Sequence, residues 1–243
     1  MDKLNLMVCP HDTAKKPDRW FRFAQYLSQN LDQTVHFELA MDFQEFHQKM
    51  NDADIVYGNP ADTMNLLKNN FISVARPSNL YDEVVFIANH DLDNPSLESF
   101  QESNLVSVTS MLATKIGLDA LETQGIKPAE LIDKSTWLAV IKAIANKETD
   151  AMLGFVYKDT YEQLGEATKS LVKYIATSEQ KKAFHQLVLS SKAIQIQKKL
   201  ASTLLEMDQN SKGKDILDEL NIEQWMIPRE SEIDTIKQII AKK

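Results

Sequence analysis

The chain is poor in glycine and almost devoid of cysteine: six glycines and one cysteine occur in 243 residues. So few glycines leave no room for the glycine-rich loops that hold nucleotide phosphates, and neither GxGxxG nor a P-loop sequence occurs. GxSxG, HExxH and CxxC are also missing, which excludes the common signatures of hydrolases and zinc enzymes. The lone Cys9 cannot form an internal disulfide. At a predicted strand end it is expected to act as a small apolar residue, and the alternative is a reactive thiol.

Long apolar runs and basic patches are lacking as well. No stretch approaches the roughly 20 apolar residues of a membrane span, so we expect no such span. The formal charge is −8 and the lysines are interleaved with acids, which argues against a nucleic-acid partner. The histidines show no metal-ligand spacing, so we predict neither a metal site nor a cofactor; they are His11, His36, His47, His90 and His185.

What the chain does contain is an alternation of strand-like and helix-like segments, which predicts an α/β architecture. Helical spacing covers Trp20–Leu27 and 136–146, and Pro60 fits the first turn of another helix. Residues 11–17 are interpreted as a polar loop, and the last fifty residues as purely helical. The predicted strands are LNLMV, TVHFELA, DADIVYGN, FISVARP, DEVVFIAN, LVSV, AMLGFVY, LVKYIAT and HQLVLSS.

One strand-to-helix turn is unusual. Residues 105–126, LVSVTSMLATKIGLDALETQGI, predict a short buried strand that turns directly into a helix closed by Gly125. Free N–H groups and the positive end of the dipole make such a helix start suitable for an anion. The turn itself, Thr109-Ser110-Met111-Leu112, combines two hydroxyls with two apolar side chains.

Several segments along the chain together resemble a known family. In order they are FAQYLSQNL, VHFELAMDFQEFHQKMNDADIVYGNPADTMNLL, VARP, ALETQGI, AIANKETDAML and LLEMDQNSKGKDILDELNI. Their order and spacing are similar to those of the phosphonate/phosphite-type substrate-binding proteins of ABC transporters, from Leu4 to about Ile239. The resemblance implies a two-lobed type II periplasmic-binding-protein fold, in which each lobe is a mixed sheet flanked by helices.

The resemblance also implies a division of the chain. Lobe 1 is expected to comprise 1–85 plus 189–243, and lobe 2 to comprise 86–188. The strands DEVVFIAN and HQLVLSS would be two crossing strands, with hinges near 84–88 and 184–188. A small-molecule ligand would lie in the cleft between the lobes, and the partner would be an ABC permease or a sensor protein. The expected location is the periplasm with a leader removed, or the cytoplasm if Met1 is the native start.

The turn at 109–112 aligns with the Ser-Thr-Ser turn by which the family anchors a phosphonate or phosphate. Ser110 keeps the first place, and Met111 and Leu112 occupy the next two. Each lost hydroxyl removes a donor worth about 1.5–3 kcal/mol to a charged oxygen. Apolar side chains there would also make a desolvated phosphate costly. The resemblance therefore predicts a ligand that is neither phosphate nor an aminophosphonate.

Other aligned positions change in the same direction. Phe43 replaces a tyrosine, Trp137 replaces a histidine, and Tyr157 replaces an acid that receives a substrate amine. Tyr81 matches a family tyrosine, and His185 lies near the family's second acid. The predicted ligand contacts are Phe43, Asn59, Tyr81, Thr109, Ser110, Met111, Leu112, Trp137, Tyr157 and His185.

Each of these contacts has a structural alternative. The apolar and aromatic residues could serve core packing, and Asn59 could be a helix N-cap before Pro60. His11 and Asp12, in the loop after the first strand, could reach the cleft, but the simpler interpretation is that they are solvated loop residues.

Three functions are compatible with the sequence. The favoured one is a non-catalytic solute-binding protein for transport or sensing, whose ligand is a small, partly apolar molecule. A sensing or interaction module with a degenerate cleft is the first alternative. An enzyme on the same fold, similar to thiamin-pyrimidine synthases, is the second, although the histidine- and cysteine-bearing motifs of those enzymes are missing.

Overall fold

A computed structural model describes residues 3–14 and 16–242 of the chain. Predictions about Met1 as the native start, and the Lys15 part of the predicted loop, lie outside the described residues. The strands are β1 (Leu4–Val8), β2 (Val35–Glu38), β3 (Ile55–Gly58), β4 (Phe71–Pro77), β5 (Val84–Ala88), β6 (Leu105–Ser107), β7 (Leu131–Asp133), β8 (Leu153–Tyr157), β9 (Lys173–Thr177), β10 (Gln186–Ser190) and β11 (Trp225–Met226).

The helices separate these strands and form most of the C-terminal part. They are α1 (Pro10–Thr13), α2 (Asp18–Leu31), α3 (Phe43–Lys49), α4 (Pro60–Lys68), α5 (Leu112–Thr123), α6 (Trp137–Ala145), α7 (Lys158–Gln163), α8 (Glu166–Lys169), α9 (Gln197–Leu205), α10 (Ser211–Leu220) and α11 (Glu230–Ala241). Short 3₁₀ segments cover Leu97–Phe100, Ser191–Ile196 and Met207–Gln209.

The chain divides into two compact units. Unit 1 is Met1–Tyr81 with Phe184–Ile236, and unit 2 is Asp82–Ala183 with Lys237–Lys243. β5 therefore belongs wholly to unit 2 and β10 wholly to unit 1, whereas α11 begins in unit 1 and ends in unit 2. The predicted lobes, 1–85 plus 189–243 and 86–188, stay predictions. The same holds for the hinges predicted near 84–88 and 184–188.

Unit 1 contains a six-stranded mixed sheet in the order β11-β4-β10-β3-β1-β2. β1 runs parallel to β2 and β3, while β10 runs antiparallel to β3 and β4. The carboxyl ends of β1 to β4 therefore lie at one edge, where β10 begins with Gln186 opposite Gly58. We call this the carboxyl edge of unit 1.

The core of unit 1 lies on both faces of this sheet. On one face α2 buries Trp20, Phe23 and Leu27, an i, i+3, i+7 stripe, against Leu6 and neighbouring strand residues. On the other face Phe46 of α3 and other apolar side chains form a second cluster. Helices on both faces thus fix the strands whose ends carry the candidate site.

Unit 2 contains a five-stranded mixed sheet in the order β7-β6-β8-β5-β9. β6 is parallel to β7 and β8, and β5 is antiparallel to β8 and β9. The carboxyl ends of β6, β7 and β8 meet where β5 begins, since Val84 pairs with Tyr157. We call this the carboxyl edge of unit 2. Helices α5 and α6 contribute to two separate apolar clusters of this unit.

The predicted α/β architecture of mixed sheets flanked by helices is confirmed. The prediction of a purely helical C-terminal region is wrong, because β11 pairs with Arg76 and Pro77 of β4. A two-residue strand has no periodicity from which it could be predicted. The loop predicted over 11–17 is also partly wrong, since α1 begins at Pro10, where proline suits a first helical turn.

Candidate functional site

The predicted ligand contacts lie at the carboxyl edges of the two sheets. Open α/β sheets commonly bind ligands outside the carboxyl ends of their strands. In unit 1 these residues follow β2, β3 and β4 or precede β10: Phe43, Asn59, Tyr81 and His185. In unit 2 they follow β6 and β7 or end β8: Thr109, Ser110, Met111, Leu112, Trp137 and Tyr157.

The Thr109 end of the unit 2 turn is occupied by a carboxylate. Thr109 donates its backbone N–H at 2.8 Å and its hydroxyl at 2.6 Å to the same oxygen of Asp133, Oδ1. These two hydrogen bonds lower the pKa of the exposed Asp133 carboxyl. A fixed negative charge therefore lies at the turn. The sequence did not single out Asp133, because it ends the three-residue strand β7, which was not predicted.

The start of α5 is open. Met111 is its N-cap, with an extended backbone, and no side-chain cap exists among the described residues. Ser110 is exposed, and its hydroxyl has no partner in the described part of the chain. Met111 is 49% exposed, whereas Leu112 packs on the cluster of Ile116, Ala183 and Ile239. The two apolar residues of the turn thus differ: one faces solvent and the other contacts a core.

Trp137 and Tyr157 have structural roles in unit 2. Trp137 is the first residue of α6, which Thr136 caps by accepting the Ala139 N–H at 3.1 Å. Its half-buried ring packs against both clusters of the unit. The Tyr157 hydroxyl donates to Asp82 Oδ1 at 2.7 Å. Trp137 therefore contributes to core packing, which is the structural alternative considered for it. The acid beside Tyr157 is Asp82.

In unit 1, Asn59 is the N-cap of α4, the alternative considered for it. Its side-chain oxygen accepts the Asp62 N–H at 2.9 Å, and its amide donates to Asp62 Oδ2 at 2.6 Å. The other carboxylate oxygen of Asp62 lies 2.9 Å from His47 Nε2. Burial raises the pKa of Asp62, and the interactions with His47 and Asn59 only partly oppose this shift. Sequence reasoning missed the Asp62–His47 pair.

Phe43 is not a core aromatic. It begins α3, is 44% exposed, and its ring lies 5.9 Å from that of His47. Asp42 caps the same helix by accepting the Glu45 N–H at 2.8 Å. The ring of Phe43 is thus available to a ligand at this edge.

His185 and Asp12 form a pair at the same edge. His185 Nδ1 lies 2.9 Å from Asp12 Oδ2, and the imidazole is 8% exposed. The centroid of its ring lies 5.7 Å from the ring centroid of Tyr57, which is buried in the core of unit 1. The simpler interpretation of Asp12 as a solvated loop residue is wrong.

Cys9 is buried nearby, and burial, followed by the charge of Asp12, strongly raises the pKa of its thiol. Burial thus disfavours the thiolate form of Cys9.

Tyr81 belongs to a buried cation cluster. Its hydroxyl accepts from Arg76 Nη1 at 3.1 Å, and the guanidinium lies 4.6 Å from the ring of Phe184. Arg76 Nη2 forms an ion pair with Glu232 at 2.6 Å, and Arg76 is 2% exposed. Arg76 anchors the first residues of α11 to β4, and Tyr81 is held as part of that contact.

Exposed apolar side chains are concentrated at both edges. Among residues 3–14 and 16–242, five of the ten exposed large hydrophobic residues follow strands that end at these two edges, namely Leu39, Met41, Phe43, Met111 and Leu138. Within residues 3–14 and 16–242, no group of three or more His, Cys, Asp or Glu is arranged to hold a metal ion. None of the helices in this part combines the length and apolar character needed to span a bilayer.

Comparisons with known proteins give one family and several similar folds. A family model described as "ABC transporter, phosphonate, periplasmic substrate-binding protein" matches residues 6–232. No curated protein matches the chain.

Three solved structures illustrate the similarity of fold. PhnD1 from Prochlorococcus marinus, in complex with methylphosphonate, is 17% identical with a TM-score of 0.68 over 98% of this chain and 96% of that one. A TctC solute binding protein from Polaromonas, without ligand, is 13% identical with a TM-score of 0.64 over 99% and 98%. The periplasmic aliphatic sulphonate binding protein SsuA from Escherichia coli is 10% identical with a TM-score of 0.59 over 98% and 85%. At these identities the likeness concerns the fold alone.

Proposed function

Since the chain belongs to the phosphonate-type periplasmic substrate-binding proteins of ABC transporters, we propose that it captures a small solute that is neither phosphate nor a phosphonate. Proteins of this family bind small ligands and deliver them to ABC permeases.

The Asp133–Thr109 contact carries the proposal. An anion at the start of α5 would meet the exposed Asp133 carboxylate and would have to compete for the Thr109 N–H and hydroxyl. The two charges would repel, and the uncapped helix dipole, worth about 0.3–1 kcal/mol to an anion, offers little in return. A cationic or neutral group does not meet this repulsion.

The apolar residue exposed at the turn supports a partly apolar ligand. Met111 is about half exposed at the N-cap of α5. Apolar surface favours alkyl groups by roughly 25 cal/mol per Å² buried, and the Asp133 carboxylate beside Thr109 favours a cation over an anion. The ligand class is therefore a small organic cation or neutral solute with an apolar part. The contacts we assign to it are Ser110 and Met111, with Asp133 as the charged partner.

We also propose that the protein acts by binding, without catalysis, in the periplasm and for an ABC permease. The burial of Cys9 supports this proposal, because burial raises the pKa of its thiol and so disfavours the thiolate, which is the nucleophilic form.

The test is thermal unfolding in the presence of defined probes. Phosphate, phosphite, methylphosphonate and 2-aminoethylphosphonate are expected to leave Tm unchanged. A panel of quaternary ammonium compounds, such as choline and glycine betaine, is expected to contain a stabilising ligand. At a hundred times Kd, a ligand stabilises the folded state by about 2.7 kcal/mol. Clear stabilisation by any of the phosphorus compounds would overturn the proposal.

A charge variant sharpens the test. Asp133→Asn removes the charge and is expected to weaken binding of a cationic probe by about tenfold, while leaving folding intact, because Asp133 is exposed. Asp93→Asn is the matched control, since Asp93 is an exposed acid of the same unit. Equal affinities in the two variants would remove Asp133 from the site.

A second function is favoured by a specific observation. Polar groups predicted to contact ligand already have partners: Thr109 with Asp133, Tyr157 with Asp82, Tyr81 with Arg76, Asn59 with Asp62 and His185 with Asp12. Such internal satisfaction suits a sensing or interaction module that no longer takes a solute. In that case none of the probes, cationic, neutral or anionic, would change Tm.

A further inference from the structure

Helix α5 makes tertiary contacts on two of its faces. One face packs on the sheet of unit 2, where Ala113, Ala120 and Leu121 join the main apolar cluster. Gly117 lies so close to the ring of Phe155 that a Cβ atom would approach it within 2.7 Å. The other face presents Leu112, Lys115, Ile116, Asp119, Glu122 and Thr123, which recur at helical spacing.

The apolar part of this second face contacts the end of α11. Ile116, Ala183 and Ile239 are each at most 2% exposed and form a separate cluster, against which Leu112 packs. Leu112 is the first residue of α5 and directly follows the N-cap Met111. The C-terminal segment therefore reaches the first turn of the helix that begins at the candidate ligand turn.

The polar part of the face fixes the same segment. Lys242 Nζ lies 2.5 Å from Asp119 Oδ1 and also pairs with Glu122. Lys182 Nζ lies 2.7 Å from the other oxygen of Asp119, Oδ2. In the opposite direction, Lys115 Nζ donates to the carbonyl of Ile240 at 2.6 Å, near the end of α11, where a cation suits the unpaired carbonyls.

The beginning of α5 needs such support. Met111 provides no side-chain cap, and no acidic residue lies in the first turn of α5. A helix start without a cap frays unless tertiary packing holds it. On the second face of α5, Leu112 is the apolar contact of this first turn, and it packs on the cluster that contains the buried Ile116 and Ile239.

We propose that residues 237–242 are a positioning segment for the ligand-binding turn 109–112. Ile239 and Lys242 hold the second face of α5, and through Leu112 they keep the N–H groups and the Ser110 and Met111 side chains of the turn in one arrangement. The proposal rests on the proposed function in that it takes the turn to be a ligand contact. Ile239 and Lys242 act through α5 and do not touch the ligand themselves.

The experiment is hydrogen exchange of the full chain, followed by mass spectrometry, without ligand. Ile239→Ala and Lys242→Ala are expected to speed exchange of the amides of residues 112–118 by about tenfold relative to the amides of β8, which report opening of the whole unit. Lys242→Arg is expected to restore slow exchange, because it keeps the ion pairs with Asp119 and Glu122.

Two control variants separate positioning from general destabilisation. Ile236→Ala truncates a fully buried isoleucine of the same helix that belongs to unit 1, and Lys142→Ala removes an exposed lysine of unit 2. Neither is expected to change the ratio of turn to β8 exchange. An unchanged ratio in Ile239→Ala and Lys242→Ala, or an equal rise in the controls, would overturn the proposal. Because no ligand is present, a faster turn combined with a failed ligand screen would count only against the proposed function.

Discussion

Helices α4 and α5 both start directly after a parallel strand of their sheets, yet the two starts are built in opposite ways. α4 has Pro60 in its first turn, Asn59 as a side-chain cap and the buried Asp62 behind it. α5 begins at the half-exposed Met111, without a side-chain cap or an acid in its first turn. The protein thus caps one helix start with its own side chains and leaves the other accessible.

The largest effect is expected from opening α4. Asn59→Ala removes the cap and a hydrogen-bond partner of the buried Asp62. Loss of a cap costs about 1 kcal/mol and an unsatisfied buried group costs about 1–3 kcal/mol, so we expect a loss of about 2–3 kcal/mol. Urea unfolding measures it. Asn59→Ser keeps an acceptor at the cap and is expected to lose less. Equal losses in both variants would show that the cap is not what closes α4.

A smaller effect is expected from closing α5. Met111→Ser and Met111→Ala remove the same apolar side chain, but serine can cap the helix and alanine cannot. The serine variant is therefore expected to be more stable than the alanine variant by about 1 kcal/mol, measured by urea unfolding. If the two variants unfold at the same urea concentration, the first turn of α5 does not lack a cap.

The smallest effects are expected from pH, with opposite signs at the two helices. Burial raises the pKa of Asp62, and the interactions with His47 and Asn59 do not cancel this shift. The stabilisation from this group is therefore complete below about pH 4, its unfolded pKa, and is lost as pH rises through the folded pKa. In Asp119 of α5, burial raises the pKa, but the hydrogen bonds from Lys182 and Lys242 outweigh it and leave the pKa lowered. Its stabilisation is present above about pH 4 and is lost as pH falls through the folded pKa.

The measurement is the stability difference between the wild type and each asparagine variant from about pH 3 to pH 7. Relative to Asp62→Asn, the wild type is expected to lose stability as pH rises; relative to Asp119→Asn, it is expected to gain stability. Slopes of the same sign in both comparisons would contradict the two environments described.

The family and the alternation of strands and helices could be predicted from the sequence, and both are confirmed. The start of α4 could be predicted from Asn59 and Pro60, because asparagine favours the N-cap position and proline favours the first helical turn. β11 could not, since two residues carry no period. β7 could not, since its three residues are partly buried or exposed, whereas the three residues of the predicted strand β6 are all buried.

The partners at the edges were harder to predict than the elements. Asp12 and His185 are 173 positions apart, and Arg76 and Glu232 are 156 apart, so only the folded chain shows that they meet. The sequence also presented Met111 and Leu112 as equivalent apolar residues. Their difference depends on the direction of each side chain at the first turn of α5, which is set by packing against Ile239. The ligand contacts themselves remain a prediction.

The three tryptophans differ in their exposure to water, so their fluorescence can distinguish regions of the protein. The chain has three, and Trp20 and Trp225 are sealed in unit 1 at 2% and 3% exposure. Trp137 alone stands partly open to water, on the first residue of α6. An aqueous quencher such as iodide should therefore quench the fluorescence of Trp137 selectively. The remaining emission should come from the buried Trp20 and Trp225 of unit 1. Without any label, the Trp137 indole can thus report on changes at the start of α6, while the other two tryptophans serve as its internal reference.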